Sequence, residues 1–186
     1  MIITLASASP RRKELISEIK GLQANIVPAC GEEKAIFMNA GQFACALARH
    51  KAEEVFLRTG GIVVGADTIV VMDGQVLGKP HDESDAKRML KSLSGKTHSV
   101  ITGVCVKNEG KLTNAFCETF VSVGELDDRF IEEYISTGSP MDKAGAYGLQ
   151  DQMFYERVTG VNGDVDNVIG LPVKMLEVIL KENFNG

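Results

Sequence analysis

The sequence predicts an α/β fold with a mixed β-sheet, and three observations carry that expectation. Short β-rich apolar runs alternate with stretches of helical periodicity along the chain. Two pairs of these runs are joined by tight turns, at Asp73-Gly74 and Asn108-Glu109-Gly110, which argues against a purely parallel sheet. At 186 residues the chain suits one domain, or one domain with two lobes, and can bury a real core.

The chain opens on Ile2-Ile3-Thr4-Leu5-Ala6, which reads as a short buried strand. Ser9-Pro10 then reads as a helix start, with Ser9 as N-cap and Pro10 at N1. Leu15, Ile16 and Ile19 share one face of that helix. A second helix is expected over about 41–58, with an apolar stripe of Ala44, Leu47, Ala48 and Val55 that also carries Lys51. Ile62–Val71 is a long β-rich run that turns at Asp73-Gly74 and returns through Val76-Leu77. Ser84–Leu93 spaces Ala86, Met89, Leu90 and Leu93 as a helix, and strands are expected near Ser99–Val106 and Leu112–Val123. Asp127 suits the cap of a helix that buries Phe130, Ile131, Tyr134 and Ile135 and stops at Gly138. A glycine-punctuated stretch, a strand over Met153–Val158 and a helix opened by Pro172 complete the pattern.

Hydrophobic residues make up 44% of the chain and charged residues 24%, an ordinary balance for a globular protein. The net charge of −5 argues against general nucleic-acid binding, so basic residues are expected to serve a local anion. No apolar stretch approaches the ~18 residues of a membrane span and no signal-peptide pattern is present, so the expectation is a cytoplasmic protein with no membrane partner. Cys30, Cys45, Cys105 and Cys117 lie far apart without a CxxC pair, which disfavours a zinc site or a disulfide framework. Cys45, Cys105 and Cys117 fall in apolar patterns and are expected as buried free thiols.

Several residues could carry chemistry. Arg11 and Arg12 fall in a first helical turn, where a cation is unfavourable by roughly 0.3–1 kcal/mol. Small residues at Ser7-Ala8-Ser9, free helix amides and two guanidinium forks suit a phosphate; a solvated helix start with surface ion pairs fits equally. Lys51 either snorkels outward or points into a wet pocket that holds an anion. Asp67, set in the Gly65-Ala66-Asp67-Thr68 interruption of the long β run, is out of place unless paired or facing a cleft. Metal coordination would justify it, and so would capture by backbone amides. A hairpin could bring Lys79, in Gly78-Lys79-Pro80, back near Asp67. Glu32-Glu33 is a solvated turn or a source of a second metal carboxylate. Gln150, at the end of the glycine-punctuated stretch, has one donor and one acceptor face for a base edge, unless that loop is a plain connector. Ser94-Gly95-Lys96-Thr97 is set aside as a P-loop because a helix precedes it and a strand follows. His50, His81 and His98 are scattered and lack a nucleophile partner at a recognisable spacing.

Taken together, these segments resemble the Maf family of nucleoside triphosphate pyrophosphatases. The matching blocks are Leu5-Ala6-Ser7-Ala8-Ser9-Pro10-Arg11-Arg12-Lys13-Glu14-Leu15, Leu47-Ala48 leading to Lys51-Ala52-Glu53, Gly65-Ala66-Asp67-Thr68-Ile69-Val70-Val71 and Leu77-Gly78-Lys79-Pro80. Leu93-Ser94-Gly95-Lys96-Thr97-His98, Ile101-Thr102-Gly103-Val104, Asp142-Lys143-Ala144-Gly145-Ala146-Tyr147-Gly148-Leu149-Gln150 and Asn167-Val168-Ile169-Gly170-Leu171-Pro172 follow, so the match runs along nearly the whole chain. The resemblance implies a single 1–186 domain with an elongated mixed sheet flanked by helices, and two lobes around a cleft, as in inosine triphosphate pyrophosphatases. It implies hydrolysis of the α–β phosphoanhydride bond with Mg²⁺, for which Mn²⁺ or Co²⁺ can substitute, and a homodimer. By motif, Asp67 would be the catalytic acid/base and, with Glu33, a metal ligand. Ser7, Arg11, Arg12, Lys51 and Lys79 would hold the triphosphate, while Arg11, Thr68 and Gln150 match positions that separate subfamilies by base. The loop ending at Gln150 looks like that of the dTTP/UTP subfamily. Val121, Asp151-Gln152-Met153 and Asp166 depart from the family pattern, which has glycines after the glutamine. A nucleotidyltransferase and a nucleotide-binding regulator of septum formation without turnover are the competing functions.

Overall fold

Apolar and β-branched residues at the start of the chain make strand β1 (Ile2–Leu5), whose last three residues are buried. The computed structural model describes residues 1–31 and 39–184. Pro10 opens helix α1 (Pro10–Ser17), and β2 (Gln23–Ile26) returns parallel to β1. Helix α2 (Ala40–Thr59) leads into β3 (Val63–Met72), which also runs parallel to β1. The turn into β4 (Gln75–Leu77) has positive φ at both central residues, Asp73 (49°) and Gly74 (77°), as a two-residue hairpin requires. Helix α3 (Glu83–Leu93), β5 (Thr97–Lys107), β6 (Leu112–Val123) and α4 (Asp128–Ser136) follow. Two short 3₁₀ turns, α5 (Gln152–Tyr155), β7 (Val158–Asn162), α6 (Val165–Ile169) and α7 (Val173–Phe184) complete the chain. The sheet has seven strands in the order β2-β1-β3-β5-β6-β7, with β4 paired to β3. Parallel pairs at β1 and antiparallel pairs at β3–β4 and β6–β7 make it mixed.

The chain divides into two compact units, Met1–Thr68, Thr102–Cys117 and Asp166–Gly186 forming one, and Ile69–Ile101 with Glu118–Val165 the other. In the first unit, strand alternation sorts the core onto two sheet faces. Val64, Ala66, Val104 and Val106 pack with Leu15 and Ile16 of α1 and Leu176 and Ile179 of α7. Val63 and Cys105 point the other way, toward Ala48, Ala52 and Val55 of α2. In the second unit, α3 packs on α4, and Tyr134 and Phe154 are fully buried beside Phe130 and Tyr147.

Helices α2, α3 and α4 start on side-chain caps: Asn39 accepts from the Gln42 N–H, Asp82 from Asp85 and Asp127 from Phe130 at 2.7 Å. Asp127→Ala should therefore cost about 1 kcal/mol of unfolding free energy. A denaturant midpoint that does not move would contradict that role for the cap.

The expected strand over Met153–Val158 is instead the short helix α5, and the strand begins at Val158. Its Met-Phe-Tyr composition favours a strand locally, but Phe154 turns inward to stack on Tyr147 with ring centroids 4.4 Å apart. Of the thiols expected to be buried, Cys105 is, and burial pushes it up to about 12; Cys45 and Cys117 are partly exposed. Among the described residues no helix is long and apolar enough to cross a membrane.

Candidate active site

Two glycines decide where α2 sits. A Cβ on Gly65 of β3 would lie 2.2 Å from the Ala48 carbonyl oxygen, and one on Gly103 of β5 would lie 2.3 Å from the Ala44 carbonyl. With alanines at 44, 48 and 52 on the facing side, helix and sheet approach closely at this point. Residues 63, 65 and 67 share the sheet face toward α2, so Asp67 points at the helix. Lys51, one residue before Ala52, meets it: Nζ lies 2.5 Å from Asp67 Oδ1, with the two side chains 16% and 14% exposed. The lysine on the apolar stripe thus points inward. Pairing offsets the cost of removing both charges from water. Among the described residues, Asp67 Oδ2 takes no hydrogen bond.

Thr68 points to the opposite face, where Arg12 is held. The Arg12 Nε–H donates to the Gly170 carbonyl (2.8 Å), Nη2 to Thr68 Oγ1 (2.9 Å) and Nη1 to Ser7 Oγ (3.4 Å). Thr102 gives its proton to the Asn167 carbonyl, so Thr68 donates to Thr102 across 2.9 Å. The Asn167 amide oxygen in turn accepts from the Thr102 N–H at 3.0 Å. Thr102 and Asn167 are fully buried, and they belong to the site's support although sequence reading gave them no role. Both stand in blocks that resemble the family, and Thr102 is a lone polar residue in the run Val100-Ile101-Thr102-Gly103-Val104.

Strand β1 ends at Leu5, level with Val64, and β3 continues past it through Asp67 and Thr68. The start of α1 lies in the same unit. Ser9 occupies the N-cap position, but its side chain makes no cap; its N–H donates to the buried Ser7 hydroxyl at 3.2 Å. Arg11 and Arg12 are half-buried in the first turn. Ser7, Arg12 and Thr68 are thus joined by hydrogen bonds, and Lys51 and Asp67 by an ion pair, all within one unit. Glu33 lies outside the described residues.

Lys79 and Gln150 belong to the second unit, and both are exposed. The Gly145 N–H donates to the Gly78 carbonyl at 3.0 Å, which ties the Gln150 loop to the residue before Lys79. Gly145 has φ 70° and a Cβ there would lie 3.0 Å from the Val70 methyls, so a side chain at this position would be strained. Gln150 stands in a turn closed by the Asp151 N–H to the Gly148 carbonyl at 3.1 Å. Behind the loop, His98 Nε2 lies 2.7 Å from the Tyr147 hydroxyl, while Nδ1 has no partner among the described residues.

Burial lowers the His98 pKa to about 4 from 6.5. Between those values the unfolded chain binds a proton that the folded chain refuses, so stability rises with pH and is lost as pH falls through that window. Unfolding free energy should drop less between pH 7.5 and 4.5 in His98→Gln than in the wild type; equal drops would contradict this assignment.

Residues 2–183 match the family model described as Maf-like protein. The chain is 48% identical over 177 residues to a dTTP/UTP pyrophosphatase of Thermococcus gammatolerans, covering 94% of this chain and 93% of that one. It is 40% identical over 187 residues to a dTTP/UTP pyrophosphatase of Pyrococcus horikoshii, covering 99% and 98%. Among solved structures, it shares its fold with a HAM1 protein from Coxiella burnetii (TM-score 0.57, 16% identity, covering 98% and 99%). The Staphylococcus aureus Ham1 protein is similar in the same sense (TM-score 0.58, 11% identity, covering 97% and 98%). With a family match spanning almost every residue, and relatives this similar along their full length, the chain belongs to the Maf family.

Proposed function

We propose that this protein hydrolyses dTTP, UTP and modified pyrimidine nucleoside triphosphates at the α–β phosphoanhydride bond, giving the monophosphate and pyrophosphate. The observation that carries the reading is the Lys51–Asp67 pair, a carboxylate with one oxygen fixed by an ammonium and the other unengaged by the described residues. The names of the relatives support the substrate class.

Asp67 Oδ2 takes the proton of the attacking water, and Lys51 holds Oδ1 so that the carboxylate keeps its direction. Ser7, Arg11 and Arg12 at the start of α1 gather phosphate oxygens, where helix amides and guanidinium forks favour anions. Arg12 is braced for this by Gly170 and Thr68. The same cations offset the charge that develops on the departing pyrophosphate. Lys51 and Lys79 as phosphate ligands and Gln150 as the base reader take their roles from their motif positions. Thymine and uracil pair a carbonyl with an adjacent N–H; cytosine reverses both, so the two faces of a glutamine amide tell them apart. Arg11 and Thr68 complete the base-selecting set.

Among the described residues no three His, Cys, Asp or Glu side chains form a metal cluster. A single carboxylate is nonetheless a fitting donor for Mg²⁺, which takes one or two carboxylates together with phosphate oxygens. Asp67 would hold the ion, with Glu33 as second carboxylate, and Mn²⁺ or Co²⁺ would substitute. The ion supplies charge neutralisation of the phosphates and activation of water. The protein acts in the cytoplasm, as a homodimer.

The test is pyrophosphate release with Mg²⁺ from dTTP, UTP, CTP, GTP and modified uridine triphosphates. Release from dTTP and UTP ahead of the others is expected. Binding without release would favour a regulator of septum formation, and release only with an acceptor present would favour a nucleotidyltransferase.

A further inference from the structure

The turn that carries Gln150 is fastened from behind by one phenol. The Tyr134 hydroxyl accepts from the Gly148 N–H at 3.1 Å and donates to Asp151 Oδ2 at 2.5 Å, so a single oxygen holds both ends of the Gly148–Asp151 turn. Tyr134 cannot follow a loosened loop. It is 1% exposed in α4, with its ring 5.4 Å from that of Phe154 and 6.0 Å from that of Phe130. Asp151 Oδ2 also accepts from Ser139 Oγ at 2.7 Å and lies 3.8 Å from Lys143 Nζ. Lys143, itself buried, donates to the Ser139 carbonyl (2.6 Å), to Ser139 Oγ (2.9 Å) and to Asp142 (2.9 Å). Gly148 leaves no room for slack: a Cβ there would lie 2.7 Å from Lys143 Cε and 2.9 Å from Asp151 Oδ2.

We propose that Tyr134 and Asp151 are positioning residues for base selection, fixing the direction in which the Gln150 amide meets the base. This rests on the reading of Gln150 as the base reader. Gln150 lies exposed between two tethered residues, so its backbone is set by the clamp. An amide discriminates donor from acceptor only when it cannot turn to satisfy the wrong base. The Asp151 carboxylate, next to Gln150, closes the clamp from its far side.

The experiment compares kcat and KM for dTTP, UTP and CTP in the wild type, Tyr134→Phe, Asp151→Ala, Gln150→Ala and the double variant Tyr134→Phe/Gln150→Ala. Tyr134→Phe keeps the ring packing, and Asp151→Ala opens the clamp from its other side. Each should reduce the preference for dTTP over CTP roughly tenfold, through a raised KM for dTTP with kcat within about twofold. In the Gln150→Ala background, Tyr134→Phe should change the preference no further. Equal losses on all three nucleotides, or a loss that adds in the double variant, would overturn the proposal. If Gln150→Ala keeps full discrimination, the base-reader assignment fails and this inference fails with it. No pyrophosphate from any nucleotide in the wild type would overturn the proposed function as a whole.

Discussion

Asp67→Asn should lower kcat for dTTP by roughly 10²–10⁴-fold, the range expected when a general base is removed. The substitution is nearly isosteric, and its amide oxygen can still accept from Lys51, so the packing of α2 on β3 should survive. What is lost is the ability of the second oxygen to take a proton. The expected signature is a fallen kcat with nucleotide binding retained, read by steady-state kinetics beside a binding titration. An asparagine variant with near-normal turnover would remove Asp67 from the chemistry and leave the Lys51 pair a structural one.

Gly65→Ala should damage stability and activity together. Its added methyl would sit 2.2 Å from the Ala48 carbonyl oxygen and 2.8 Å from the Ala52 nitrogen, both backbone atoms of α2. Side-chain rotation cannot relieve those overlaps, so the helix must move away from the sheet. Overpacking of this kind costs about 1–3 kcal/mol, and backbone overlap places this site at the upper end. Because Lys51 rides on the same helix, its ammonium moves off Asp67, and kcat should fall at least tenfold even where the variant stays folded. Circular dichroism melting and pyrophosphate release measured on one preparation would check both effects. An unchanged melting temperature would contradict the close approach of α2 to β3.

These two residues also show how far the sequence could be read. Asp67 stood out because a carboxylate within Val63–Met72 demands a partner, and Lys51 because it interrupts an apolar stripe. Their meeting was not legible, since it depends on two glycines and a run of alanines that allow helix and sheet to touch. The Asp73-Gly74 hairpin was legible because its backbone needs residues that tolerate positive φ. Strand β2 was not: Gln23-Ala24-Asn25-Ile26 is only four residues long, without the β-branched or aromatic run that marks a strand, and its pairing at the sheet edge to β1 makes it one. The brace on Arg12 joins residues 158 positions apart, a distance at which local pattern holds no signal. The Tyr134 clamp was hidden in the same way, because the periodicity that places Tyr134 on the buried face of α4 says nothing of its hydroxyl.

The central claim is tested most directly by resolving the products of dTTP with Mg²⁺ on an ion-exchange column, for the wild type and for Asp67→Asn. The account predicts dTMP and pyrophosphate in equal amounts from the wild type and almost none from the variant. Formation of dTDP with orthophosphate, or equal yields from both proteins, would contradict it.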